Sequence, residues 1–184
     1  GGSRGLGRAM VLAFAKAGAD VMIVSRKIES CEATAKEVVA LGRKAFPYAC
    51  HVGSWEQVEG MVEAAYVHFG KIDVLVNNAG LSPLYPSLVD VSEALFDKVF
   101  DVNLKGPFRA CALVGQRMAA GEGGSIINVS STASVHPNKG TAPYGAAKSA
   151  VNHMTQAFAH EYGPNVRVNC IIPGPFATDI AKAW

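Results

Sequence analysis

The sequence predicts an α/β protein built on a parallel, doubly wound sheet. Five short apolar runs, each typical of a buried strand, alternate with segments of helical periodicity. A glycine-rich stretch at the start leads directly into the first helical segment, as in units that bind a dinucleotide. The 184 residues are 49% hydrophobic and 17% charged, which is enough for one domain with a sizeable core. A single domain over residues 1–184 is therefore expected.

The elements follow from hydrophobic runs and from helix start and stop signals. Strands are predicted at residues 19–25, 44–52, 72–80, 124–131 and 165–172. Helices are predicted at residues 8–18, 28–41, 54–69, 92–120 and 144–162. Pro107 is expected to disturb the fourth helix close to Asn103, because proline cannot donate a backbone hydrogen bond.

Composition and charge exclude several classes of protein. The net charge is +2 and no dense basic cluster indicates nucleic-acid binding. No apolar run reaches the length of a membrane span. Cys31, Cys50, Cys111 and Cys170 lack C-x-x-C spacing, which favours free thiols in a reduced, cytoplasmic protein and no metal site. The sequence starts at Gly1 without a methionine, so it carries no information on targeting.

The opening turn is a candidate phosphate site. Gly1, Gly5 and Gly7 leave the backbone bare where a helix begins, so that N–H groups and the helix dipole can face an anion. The spacing is G-x-x-x-G-x-G rather than the G-x-G-x-x-G of larger dehydrogenases. A flexible glycine-rich terminus is the alternative, and the helix and strand that follow favour the turn.

Two arginines indicate which dinucleotide this turn would hold. Ser25 ends the predicted strand at residues 19–25 and Arg26 follows it, at the place where an acidic residue would bind a ribose 2′-hydroxyl. Arg26 together with Arg4 could instead clamp a 2′-phosphate between two guanidinium groups. Ordinary surface arginines are the alternative.

The candidate catalytic residues lie between positions 131 and 148. Tyr144 and Lys148 are four residues apart and share one face of a predicted helix. A nearby ammonium group favours the phenolate, so Tyr144 could act as a general acid–base near neutral pH. Ser131 ends a predicted strand and could hydrogen-bond a substrate oxygen. A chance pair on a solvated helix is the alternative.

A second polar group lies at the carboxyl end of the strand predicted at residues 72–80. Asn77 and Asn78 come at its carboxyl end and are followed by Ala79 and Gly80. Buried amides need partners, so these side chains are expected to bridge neighbouring strands. The small pair would let a cofactor approach closely.

With these motifs in this order, the whole sequence resembles the classical short-chain dehydrogenase/reductase family, and within it the 3-oxoacyl-(acyl-carrier-protein) reductase-like members. The resemblance implies a Rossmann-type three-layer α/β/α fold. It implies that Tyr144 is the acid–base, and that Lys148 lowers its pKa and holds the nicotinamide ribose. Ser131 would bind the substrate oxygen and Asn103 would support a proton-relay water.

The resemblance also implies a set of residues that bind NADP(H). They are Gly1, Ser3, Arg4, Gly5, Leu6, Gly7, Ser25, Arg26, Val52, Asn78, Ala79, Gly80, Tyr144, Lys148, Pro173, Gly174, Phe176 and Thr178. Where the family often has an acid before Val52, this chain has His51, which leaves the adenine contact open. Family members start with a strand before the turn and continue past position 184, so the sequence is expected to lack both ends.

The expected function is that of an NADP(H)-dependent oxidoreductase, with NADP(H) preferred over NAD(H), interconverting a carbonyl and a secondary alcohol. Two alternatives stay open: a catalytically silent dinucleotide-binding sensor or scaffold, and an enzyme that reduces a carbon–carbon double bond. The small-molecule substrate would be selected by residues 81–88 and 136–143. The sequence does not predict its identity. The resemblance implies a homodimer or homotetramer, without nucleic-acid or membrane partners.

Overall fold

The structure is a computed structural model in which residues 1–176 are described. These residues form two compact units, the first built on Gly1–His51 and the second on Val52–Gly174. Each unit is described by itself. The single domain expected from the sequence stays a prediction.

The first unit alternates helices with parallel strands. Its elements are α1 (Gly5–Lys16), β1 (Val21–Ser25), α2 (Ile28–Ala40) and β2 (Ala45–Ala49), and β1 pairs in parallel with β2. Its core is formed by apolar residues of α1, β1 and α2: Val11, Ala15, Ile23, Cys31, Ala35 and Val38. The predicted helix start at Arg8 is wrong, because α1 begins at Gly5, whose φ of 53° is one that glycine tolerates.

The second unit contains the longer sheet. Its elements are α3 (Trp55–Phe69), β3 (Val74–Asn77), α4 (Glu93–Phe100), α5 (Gly106–Ala120), β4 (Gly124–Val129), α6 (Ala142–Tyr162) and β5 (Val166–Ile171). The strands are all parallel in the order β3-β4-β5, so β4 is central. Short 3-10 turns lie at Leu88–Asp90 and Thr132–Ser134.

The helix predicted at residues 92–120 is interrupted. A π-helical segment, Asp101–Lys105, separates α4 from α5, and the Gly106 N–H bonds five residues back to the Asp101 carbonyl. Pro107 lies in the first turn of α5 and has no N–H to continue the α-helical ladder. The predicted disturbance near Asn103 is therefore present, as a widened turn that places Asn103 inside the protein.

The described part of the chain can be checked for a membrane-spanning helix, a metal site and disulfides. Over residues 1–176 no helix is long and apolar enough to cross a membrane. Nor do the described residues contain a group of three or more His, Cys, Asp or Glu side chains placed to hold a metal. All four cysteines are free thiols.

Candidate active site

The centre of the site is the carboxyl end of β4. This strand has partners on both sides, and its continuation brings Ser130 and Ser131 to the edge of the sheet. The Ser130 N–H donates to the Ile171 carbonyl at 2.8 Å, which extends the pairing with β5 by one residue. Ser131 is extended and begins the 3-10 turn, where its hydroxyl accepts from the Ala133 N–H at 3.2 Å.

Helix α6 packs directly on this strand end. The Ser130 hydroxyl donates to the Lys148 carbonyl at 3.1 Å. A Cβ at Gly145 would stand 2.8 Å from the Ala133 carbonyl oxygen, so only glycine allows this approach. The Lys148 Nζ lies 5.8 Å from the centre of the Tyr144 ring. The structure thus brings Ser131, Tyr144 and Lys148 together.

The electrostatics of the pair differ from the sequence-based expectation. Burial raises the pKa of Tyr144 above its usual value, and a hydrogen bond with the Ser131 hydroxyl acts in the opposite direction. The expected lowering of the tyrosine pKa by Lys148 is not found. The physical reason is that the Lys148 Nζ donates to the Val129 carbonyl at 2.7 Å, while burial desolvates the phenolate.

Lys148 is itself perturbed by its surroundings. Its side chain is only 3% exposed, and burial lowers the pKa of its ammonium group to about 8. The group therefore remains mostly charged at pH 7. An ammonium has three N–H donors, and one of them is directed at the Val129 carbonyl. A buried charge with further donors is well suited to hold a polar ligand.

Asn103 reaches the same place from the π-helical segment. It is completely buried, and its Oδ1 accepts from the Leu81 N–H at 3.2 Å. Its Nδ2 donates to the carbonyls of Leu81 and Val99, each at 2.8 Å. A Cβ at Gly80 would stand 2.9 Å from Asn103 Oδ1 and 3.5 Å from Lys148 Nζ. A side chain at position 80 would collide with Asn103, so glycine is what lets Asn103 and Lys148 pack this close to the backbone, and the proton-relay water stays a prediction.

A chain of buried amides crosses the sheet beneath the site. Asn77 Nδ2 donates to Asn128 Oδ1 at 2.9 Å, so the predicted bridge between neighbouring strands is present. Asn128 Nδ2 donates to the Thr155 hydroxyl at 3.0 Å, which in turn donates to the Val151 carbonyl at 2.7 Å. These bonds tie β3 and β4 to α6 and fix their relative positions. Asn78, Ala79 and Gly80 follow β3 directly.

The sequence analysis missed a group of side chains that support Ser131. The Ser134 hydroxyl donates to the Ser131 carbonyl at 2.6 Å and accepts from Asn152 Nδ2 at 2.8 Å. The Ser149 hydroxyl donates to the Ser134 carbonyl at 2.7 Å. These partners are 15 and 18 residues apart, so no local spacing signals them.

In the first unit, the glycine turn is held against the end of β1. The Gly2 N–H donates to the Val24 carbonyl at 2.9 Å. A Cβ at Gly2 would stand 3.3 Å from side-chain carbons of Ile23 and Val11, so Gly2 has a packing role that the sequence analysis missed. Arg4 is the N-cap of α1 and its side chain makes no capping bond, which leaves first-turn N–H groups for an anion.

The two arginines lie near this turn. Arg4 and Arg26 are both exposed. Arg4 lies in the turn itself, and Arg26 comes directly after Ser25 at the end of β1, against which the turn is held. The Ser25 hydroxyl donates to the Lys27 carbonyl at 3.1 Å and contacts the Cys31 sulfur.

The remaining predicted cofactor residues differ in burial and in their contacts. A Cβ at Gly106 would stand 2.0 Å from the Val52 carbonyl oxygen, so Val52 lies against the start of α5. The Pro173 carbonyl accepts from the Thr132 N–H at 3.0 Å. Ser3 and Leu6 are half-buried, Gly7 is buried, and Gly174 and Phe176 are exposed. Thr178 lies outside the described residues.

The comparison with known proteins places the chain in a family. The model of the short chain dehydrogenase family matches residues 1–184. The chain therefore belongs to the short-chain dehydrogenase/reductase family, whose members are oxidoreductases that bind nicotinamide dinucleotides.

The chain is similar to named relatives over most of its length. It is 36% identical over 179 residues to human Dehydrogenase/reductase SDR family member 4, covering 97% of this chain and 64% of that protein. It is 38% identical over 183 residues to 3-oxoacyl-(acyl-carrier-protein) reductase FabG of Thermotoga maritima, covering 99% and 74%. The chain thus spans less than two thirds of the length of the human relative.

A solved structure supports the fold. The crystal structure of a metagenomic short-chain oxidoreductase in complex with NADP superposes with a TM-score of 0.91 at 33% identity, covering 96% of this chain and 80% of that one. The predicted Rossmann-type doubly wound α/β fold is confirmed.

Proposed function

We propose that the chain is the dinucleotide-binding and catalytic part of an NADP(H)-dependent oxidoreductase that interconverts a carbonyl and a secondary alcohol. The observation that carries the proposal is the convergence of Ser131, Tyr144, Lys148 and Asn103 around the end of β4 and Gly80. A pair of half-buried hydroxyl groups beside a buried ammonium is a costly arrangement for a merely structural region. It suits a reaction that moves a proton to or from a substrate oxygen.

Each side chain has a role in this proposal. Tyr144 donates its proton to the carbonyl oxygen during reduction, while the Ser131 hydroxyl donates a hydrogen bond to that oxygen and orients it. Lys148 holds the nicotinamide ribose beside Tyr144. Asn103 holds the backbone of Leu81 beside this group and supports the return of a proton from solvent.

The residues of the chain also fit the dinucleotide. Lys148 has N–H donors beyond the one that bonds the Val129 carbonyl, and these can bond the nicotinamide ribose. In the first unit, the uncapped first turn of α1 offers backbone N–H groups to the pyrophosphate. When bound, the nicotinamide supplies or accepts the hydride.

We further propose a preference for NADP(H). Arg4 and Arg26 are both exposed, one in the glycine turn and the other directly after β1, so both can close on a 2′-phosphate. Ser25 stands where a carboxylate would repel that phosphate. The similarity to an NADP-bound structure is compatible with this preference and does not decide it.

The test is a panel of carbonyl substrates with NADPH and NADH, assayed on the complete protein by the change in absorbance of the nicotinamide. Turnover that disappears in Tyr144→Phe supports the proposal. Tight NADPH binding without turnover on any ketone, aldehyde or enone would favour a silent sensor instead. Turnover of enones alone, at the carbon–carbon bond, would favour the second enzyme alternative.

We also propose a homodimer or homotetramer. A groove between the π-helical segment, α5 and α6 is lined by Leu104, Phe108 and Ala157 among others. Met154 and Phe158 pack inside their own unit, but Phe108 is 44% exposed and Ala157 is exposed. An apolar groove of this kind favours a contact between copies.

Light scattering tests this assembly. Ala157→Arg should dissociate it, and Gln156→Arg, which adds the same charge to the neighbouring exposed position, should not. A monomer at micromolar concentration in the parent protein would remove the proposal. A cytoplasmic location is proposed from the four free thiols, and cell fractionation would test it.

A further inference from the structure

Helix α6 lacks a cap of its own at the end that carries Tyr144. Its N-cap residue, Thr141, makes no side-chain capping bond, because its hydroxyl donates to the Asn138 carbonyl at 2.7 Å. Pro143 has no N–H. The first turn of a helix has N–H groups without intrahelical partners, so those of Ala142 and Tyr144 need acceptors from elsewhere.

The acceptor for Ala142 comes from a distant loop. The Tyr85 hydroxyl accepts from the Ala142 N–H at 2.9 Å, across 57 residues of sequence. Tyr85 is half-buried, and it belongs to the loop between β3 and α4 that also contains Gly80. A side chain of this loop therefore does what an N-cap residue ordinarily does.

The same loop is fixed at its other end. Asn103 accepts from the Leu81 N–H and donates to the Leu81 carbonyl, so both backbone groups of Leu81 are held. Three residues, 82–84, then connect Leu81 to Tyr85. The loop is thus a short strap between the buried Asn103 and the first turn of α6.

We propose that Tyr85 is a positioning residue for the reaction: by capping α6 from this loop, its hydroxyl holds the first turn of the helix, and with it Tyr144, in the reactive arrangement. This inference rests on the proposed function. It assigns a role to a residue outside the serine, tyrosine, lysine and asparagine set, through a contact that no spacing in the sequence reveals.

The position of the contact predicts which step it affects. Helix ends fray, and the loss of a cap is felt mainly within the first turn. Tyr144 is the third residue of α6, whereas Lys148 is the seventh and is held by Val129 and Ser130. Loss of the Tyr85 hydroxyl should therefore slow the proton step and leave the binding of NADPH unchanged.

The test compares Tyr85→Phe with Ser54→Ala in the complete protein. Ser54 caps α3 by accepting from the Gln57 N–H at 3.4 Å, so its replacement removes a cap from a helix that carries no candidate catalytic residue. Tyr85→Phe should lower kcat on the order of tenfold, shift the pH profile of kcat and leave the Kd of NADPH unchanged. Ser54→Ala should change neither kcat nor the pH profile.

Amide hydrogen exchange provides a readout that needs no turnover. In Tyr85→Phe the Ala142 amide should exchange on the order of tenfold faster, and in Ser54→Ala that amide should be unchanged. A kcat within twofold of the parent for Tyr85→Phe, an unchanged Ala142 exchange rate, or an equal loss of kcat in Ser54→Ala would each overturn the proposal. If instead Tyr144→Phe retained full turnover, the proposed function would fail, while the exchange rates would still decide whether Tyr85 caps α6.

Discussion

The candidate functional groups of the two units differ in how far they are exposed to solvent. In the first, the candidate phosphate contacts are exposed arginines and bare backbone at the start of α1. In the second, Ser131 and Tyr144 are half-buried, while Asn103 and Lys148 are buried and held by hydrogen bonds to the main chain. An anion can be recognised by mobile surface charge, because charge acts over several ångströms. A proton transfer requires atoms at hydrogen-bond distance, so its groups must be fixed.

This contrast predicts that substitutions in the second unit affect turnover most. Tyr144→Phe should lower kcat by about 10²–10⁴-fold, because only the proton donor is removed, and should leave the Kd of NADPH unchanged. Steady-state kinetics and equilibrium fluorescence titration measure the two quantities. Near-normal turnover of the variant would show that Tyr144 is not the acid–base.

The buried lysine should make stability depend on pH. The folded-state pKa of Lys148 is lowered to about 8 from an ordinary value of 10.5, so between these pH values the unfolded chain binds more protons at this residue. The free energy of unfolding contributed by Lys148 therefore rises with pH across this window, by at most on the order of 3 kcal/mol. Lys148→Met should lack this rise in urea denaturation at pH 7.5 and 9.5.

The comparison with Lys148→Met is necessary because other groups lower the free energy of unfolding as pH rises. Burial raises the pKa of Cys50 to about 11 and that of Cys111 to about 12, from an ordinary value of 9. The unfolded chain loses those protons first, so these thiols make stability fall as pH rises above about 9. They are the same in both proteins, and only the difference between the two curves reports on Lys148. Parallel curves would contradict the burial of a charged lysine.

In the first unit, the cofactor preference should be easier to change. Each charge-assisted contact between an arginine and the 2′-phosphate contributes about 1.5–3 kcal/mol, on the order of ten- to a hundredfold in affinity. Ser25→Asp combined with Arg26→Ile should reverse a preference for NADPH while turnover with NADH remains. The measurement is kcat/KM for both cofactors with one good carbonyl substrate. An NADH preference in the parent protein would defeat this interpretation of the arginines.

The smallest expected effects are on the free energy of unfolding, and they compare a buried polar contact with an exposed one. Thr155→Val leaves Asn128 Nδ2 buried without its acceptor and should cost about 1–3 kcal/mol of unfolding free energy. Arg8→Gln breaks an ion pair with Glu37 between side chains that are 44% and 39% exposed, and should cost less than about 1 kcal/mol. Thermal unfolding of both variants measures the difference, and equal losses would remove the contrast between the units.

The fold class, most of the strands and helices, the family and the candidate catalytic residues could all be predicted from the amino-acid sequence. It could do so because hydrophobic periodicity, glycine turns and the spacing of Tyr144 and Lys148 are local features of the chain. The interruption of the helix near Pro107 could also be predicted, since a residue without an N–H disturbs any helix.

How those residues are held, and how their pKa values are shifted, depends on the packing of the folded chain. The lowered pKa of Lys148 and the raised pKa of Tyr144 arise from burial, which depends on what packs around them. The cap that Tyr85 places on α6 and the bonds from Ser134 and Asn152 join residues far apart in sequence. Such contacts exist only once β4 and α6 have packed, because a hydrogen bond depends on distance and direction in space rather than on spacing along the chain.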